Sequence, residues 1–94
     1  MSQKAITVDG IEVRPLADAA DDFEVVEAVA ASSDPSAPDY AKTLATVRVY
    51  RAILGADYER VKAELRAKHG GRLPVEVMID FMSKVMNGMA EAKN

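Results

Sequence analysis

The chain has 94 residues, 49% of them hydrophobic, with no cysteine and a formal net charge of −3. This length fits a single domain, and so apolar a composition excludes a wholly disordered chain. The lack of cysteine excludes disulfides and thiolate metal sites, the acidic balance argues against nucleic acid as a partner, and no apolar run reaches membrane-spanning length.

"MSQKAITVDG" lacks the apolar core of a secretory signal. From Lys4 the segment "KAITVDGIEVRP" predicts a β-hairpin. Ile6, Val8, Ile11 and Val13 are its apolar residues, and Asp9-Gly10 is a favoured two-residue turn because type I′ needs positive φ at both positions. Pro15 removes a ladder donor and ends the second arm. A lone hairpin is marginal in water, so its apolar face must lie on something else.

A first helix is expected from about Ala19 to Ala31. Asp18 is its candidate N-cap, with Asp21, Asp22 and Glu24 in the early turns, where the helix dipole favours negative charge. Phe23, Val26, Val29 and Ala30 form its apolar side. "SSDPSAPD" then reads as a linker rich in serine, proline and aspartate. A second helix follows from Pro38 or Asp39 to Leu54, with Gly55 as its stop. Tyr40, Leu44, Val47 and Leu54 make its main stripe, with Tyr50 at the edge. Ala45, Val49 and Ile53 make a weaker stripe on the opposite side, and a helix apolar on two sides is either central in its domain or shared with a neighbour. Arg51 falls inside the main stripe, where a charge must either snorkel to the edge or find an acid.

A third helix covers about Ala56 to His69, with Tyr58, Val61 and Leu65 as a narrow stripe, and ends at Gly70-Gly71. Pro74 suits the first turn of a fourth helix that reaches about Ala90. Val75, Met78, Phe81, Met82, Val85, Met86 and Met89 gather on about one third of its wheel, opposite Asp80, Lys84, Asn87 and Glu91. The fold class expected is mainly α: a small bundle of about four helices with an N-terminal β-hairpin. It is read as one domain over residues 1–94, with the hairpin at about 4–14, the helical region at about 18–91 and the linker at about 32–38.

Little in the chain points to catalysis. His69 is the sole histidine, placed where it favours a helix dipole. Asp21, Asp22, Glu24 and Glu27 form an acidic cluster of the solvated kind, without a nucleophile, base and orienter set. No metal, phosphate-loop or nucleophile-elbow motif occurs. The reading is therefore no enzyme, no catalytic residue, no metal and no cofactor. The candidate binding surface is the methionine-rich face of the fourth helix, Met78, Phe81, Met82, Val85, Met86 and Met89, together with Val49 and Ile53 of the second. Methionine is flexible and serves both core filling and adaptable binding grooves.

The order "DDFEVVEAVA", a polar linker, a long helix ending "AILGADYERVKAELR", then "GGRLPVEVMIDFMSKVMNGMAEAKN" resembles the tail assembly chaperones of long-tailed, siphovirus-type bacteriophages and prophages. The likeness covers most of the chain after residue 20. It rests on Asp22-Phe23-Glu24, on Leu54-Gly55 before an acidic-aromatic helix start, on the run from Gly71 to Pro74, and on Lys93-Asn94. The resemblance implies a mainly helical, non-catalytic protein that binds the tape measure protein and keeps it soluble during tail assembly. It implies the bacterial host cytoplasm as location and absence from the mature virion. The tail tube protein and a frameshift-extended form of the chain itself are further implied partners, and the chain is expected to form homo-oligomers. Nucleic acid and membrane are not expected partners. Ala92-Lys93-Asn94 can be encoded GCA-AAA-AAC, which contains a slippery heptamer and would account for two product lengths; an ordinary frayed terminus is the alternative.

Two other classes compete. Helix, glycine turn and helix near Gly55 suits a small DNA-binding or regulatory protein, with Arg60, Lys62, Arg66 and Lys68 on the third helix, although Glu59 and Glu64 interrupt them. A structural head-tail component is the third.

Overall fold

A computed structural model describes residues 5–92. In chain order, strands β1 (Ile6–Val8) and β2 (Ile11–Val13) are followed by a 3₁₀ turn at Ala17–Asp21 and helices α1 (Phe23–Ser32) and α2 (Asp39–Leu54). A second 3₁₀ turn at Gly55–Asp57 leads into α3 (Tyr58–Lys68), and α4 (Val75–Ala92) completes the described chain. The protein is mainly helical with a short N-terminal hairpin, as its patterning predicts. Its contacts divide it into two compact units. One is the hairpin segment up to Pro15 with the chain from Ala56 onward; the other is Leu16–Gly55.

In the first unit the hairpin forms because Asp9 and Gly10 take positive φ, 52° and 81°, the requirement of a type I′ turn. The register pairs Ile6 with Val13, Thr7 with Glu12 and Val8 with Ile11. Side chains alternate across the ladder, so Ile6, Val8, Ile11 and Val13 share one face while Thr7 and Glu12 point to solvent. That face packs on the helices, β1 against α4 and β2 against α3. Val8, Ile11 and Val13 are buried together with Val61, Leu65, Phe81, Met82 and Val85. Each such side chain contributes about 1.5–3 kcal/mol on burial, which is what a two-stranded ribbon lacks when alone.

Gly88 leaves room on α4 for the Ile6 side chain of β1. A Cβ at position 88 would lie 2.9 Å from Cδ1 of Ile6, below van der Waals contact. Asp9 of the turn also reaches Lys84 of α4 at 3.1 Å. Helix α4 starts after Pro74, whose carbonyl accepts from the N–H groups of Val77 and Met78. Proline therefore sits just outside the first helical residue, in the cap position.

In the second unit the 3₁₀ turn changes the start of the first helix. Asp22 takes an extended conformation, φ −90° and ψ 122°, and its carboxylate accepts the Glu24 N–H at 2.9 Å. The N-cap is thus Asp22 rather than the expected Asp18, because residues 17–21 wind into the tighter helix and the chain re-enters an extended conformation before α1. The linker at 33–38 holds a turn in which the Ala37 N–H donates to the Asp34 carbonyl. Asp34 also accepts the Ser36 N–H and hydroxyl at 2.9 and 2.7 Å, and these bonds hold its carboxyl below the ordinary aspartate pKa. The Leu16 N–H donates to the Ile53 carbonyl at 2.8 Å, tying the beginning of the unit to the end of α2.

Helices α1 and α2 pack against each other, but much of their strongest stripes stays outside. On α2 the buried residues are Ala45, Val49, Ile53 and Leu54, whereas Tyr40 and Leu44 are exposed. On α1 the buried residue is Ala28, and Phe23, Val26, Val29 and Ala30 are exposed.

Candidate functional site

The eight residues expected to form a binding surface do not lie together on an open face. Phe81, Met82 and Val85 are wholly buried, and Val49 and Ile53 are buried in α2. Met78 and Met89 are half-buried, and Met86 alone of the eight is exposed. For α4 the reason is geometric. It must cover a hairpin face on one side and contact α3 on another, so the centre of its apolar arc faces inward. Val49 and Ile53 belong to the weaker stripe, which is the buried side of α2.

Different side chains occupy the surface. On α4, Val75 is 73% exposed, with Ile79 and Met86 about half so. At 100° per residue these three fall within about 40° of arc, beside the buried Met82. On α1, Phe23 is 76% exposed and is followed at three-residue steps by Val26 and Val29. On α2, Tyr40 is 71% exposed and Leu44 lies one turn on. The sequence marks all of these except Ile79 as apolar positions of a stripe. The signal that could have separated α1 from an ordinary core helix is its setting, since Asp21, Asp22, Glu24 and Glu27 interleave the stripe.

Several charged groups of the first unit serve its own structure. Arg60 pairs with Asp57 at 3.1 Å and Glu64 at 2.6 Å, and donates to the Glu12 carbonyl at 2.6 Å. Lys62 pairs with Glu59 at 3.3 Å and lies 4.8 Å from the centre of the Tyr58 ring. Two of the four cations that could make α3 a DNA-reading helix are thus engaged by neighbouring acids. Arg66 and Lys68 are exposed in the last turn, and His69 caps α3 with its N–H donating to the Arg66 carbonyl. Arg51 is exposed rather than enclosed in the α2 seam.

Among the described residues, no group of three His, Asp or Glu side chains could hold a metal ion, and no buried side-chain polar atom lacks a hydrogen-bond partner. No helix there is long and apolar enough to cross a membrane. The described features are those of a mainly helical protein with an N-terminal β-hairpin and exposed apolar helix faces. No family model, curated protein or solved structure matches the chain.

Proposed function

We propose that this chain is a tail assembly chaperone of a long-tailed, siphovirus-type bacteriophage or prophage. It binds the tape measure protein through apolar helical surfaces and keeps it soluble while the tail tube forms, without catalysis. The observation that carries the reading is the set of large apolar side chains left exposed on three helices of an acidic chain: Phe23, Val26 and Val29, then Tyr40 and Leu44, then Val75, Ile79 and Met86. A holdase for a long helical client needs accessible apolar area, and net charge keeps such a surface in solution. Met86, with the half-buried Met78 and Met89 beside it, adds flexible side chains suited to a client of varied sequence. A frameshift-extended form and self-association belong to the same reading. Lys93 and Asn94, on which the frameshift expectation falls, lie outside the described residues.

The test is co-expression with the tape measure protein that this reading places downstream, measuring how much of that protein stays in the soluble fraction. Val75→Asp with Ile79→Asp is the informative variant, because both side chains are exposed and the fold should survive. Met82→Asp is not, since Met82 is wholly buried. A fall in soluble client of about ten-fold, with unchanged circular dichroism, is the expected result. A client held equally well by the folded variant would remove α4 as the surface. The coding DNA is the companion observation: a slippery heptamer at the codons for residues 92–94 and an overlapping open frame support the reading, and a downstream region without any tape measure gene counts against it.

A further inference from the structure

The exposed stripe of α1 differs from the others in its electrostatic setting. Every charged residue between Leu16 and Ala41 is acidic: Asp18, Asp21, Asp22, Glu24, Glu27, Asp34 and Asp39. The stretch contains no lysine or arginine. At 100° per residue Glu27 borders the stripe, while Asp21, Asp22 and Glu24 surround its N-terminal end. On α4, by contrast, Lys84 stands with Asp80 and Glu91 on the side opposite the exposed strip. Phe23, Val26 and Val29 stand at the spacing with which one helix meets another.

We infer that the α1 face docks an amphipathic helix of another protein whose apolar stripe is bordered by lysine or arginine. Apolar contact with Phe23, Val26 and Val29 supplies affinity, and opposite charge along the rim supplies selectivity and a fast encounter. The charges argue against several other occupants. A second copy meeting this one through the same α1 face would set one acidic stretch against another, because a two-fold contact is self-complementary. The α4 strip of a second copy has no basic rim, because Asp80, Lys84 and Glu91 lie on the opposite side of that helix. The α2 face of a second copy does have one, with Arg48 and Arg51 beside the exposed Tyr40 and Leu44, and sedimentation tests that occupant. An anionic membrane or a nucleic acid backbone carries the wrong sign. This inference rests on the chaperone reading for its claim that the client is a protein helix, and it adds the client's charge and the helix that receives it.

The experiment uses the full chain and two labelled synthetic peptides of about 18 residues, long enough for five helical turns. Both carry the same leucine stripe, flanked in one by lysine and arginine and in the other by glutamate. Binding is read by fluorescence anisotropy at low salt and at about 1 M, where the screening length falls to about 3 Å. The basic peptide is expected to bind at least about ten-fold more tightly at low salt, with most of that preference lost at high salt. Phe23→Ser with Val26→Ser is expected to weaken it by about ten-fold with unchanged circular dichroism. Asp21→Lys with Glu27→Lys is expected to reverse the preference between the peptides. Equal binding of the two peptides, or unchanged binding by the Phe23/Val26 variant, would overturn the inference. So would sedimentation in which the native chain self-associates and that variant is monomeric. Co-expression reads the chaperone function separately. Soluble client without peptide preference removes the α1 assignment alone, and peptide preference without soluble client removes the chaperone reading and leaves the docking face.

Discussion

Asp57 joins three parts of one unit through a single carboxylate. Oδ2 accepts the Arg14 backbone N–H at 2.9 Å just past β2, and Oδ1 pairs with Arg60 of α3 at 3.1 Å. Partial burial pushes this carboxyl upward, but the Arg14 N–H, the hydrogen bond from Arg60 and the two arginine charges together outweigh it, and its pKa lies below the ordinary aspartate value. A carboxyl whose folded pKa is depressed stabilises the fold above its unfolded pKa and loses that contribution as pH falls through the folded value. Asp57→Asn is therefore expected to lower stability by about 1 kcal/mol at neutral pH, the partial exposure of the site keeping the figure small. Urea denaturation at neutral pH and again below about pH 3 checks the sign, because the gap between native and variant should shrink once aspartate is protonated in both states. An equal gap at both pH values would mean that shape rather than charge matters at position 57.

At the scale of elements, the start of α1 shows how far local chemistry reaches. Asp18, Asp21 and Asp22 all have the side chain of an N-cap, and residue type cannot choose among them. The choice falls to Asp22 because residues 17–21 close a 3₁₀ turn, with the Asp22 N–H donating to the Ala19 carbonyl at 3.2 Å. Asp22→Ala is expected to cost about 1 kcal/mol, and Asp18→Ala less than about 0.5 kcal/mol. Thermal melts of the two variants side by side decide the matter, and a larger loss at Asp18 would put the cap back where the sequence suggests it. Other elements were legible. Asp9-Gly10 set the hairpin turn, and Pro38 and Gly55 bracket α2 as read. Val61 and Leu65 are buried on α3 as its narrow stripe requires.

At the scale of the whole molecule, exposed apolar faces and an acidic composition act against each other. Net charge vanishes near pH 5.1, and there repulsion no longer keeps Phe23, Tyr40 and Val75 of different molecules apart. Light scattering across pH is expected to peak close to that value, and Phe23→Ser with Tyr40→Ser should reduce the peak. A flat profile in the native chain would show that these faces do not associate even when uncharged.

The sequence by itself determined the hairpin and its register, the four helices to within a few residues, the turn at the linker, and the apolar stripes on each helix. These follow from positive φ at Asp9-Gly10, from the missing N–H of proline, and from a 3.6-residue period, all written in nearest neighbours. Only the tertiary structure decided which stripes are covered. Periodicity records that a face is apolar, but burial requires a second element of the right shape to meet it. On α1 and α2 the buried residues are Ala28, Ala45, Val49, Ile53 and Leu54, and Phe23, Val26, Tyr40 and Leu44 stay in solvent. On α4 the hairpin claims Phe81, Met82 and Val85 and leaves Val75 and Ile79 outside. The candidate surface thus consists largely of residues whose pattern reads as core, because an apolar face is buried only where another element meets it.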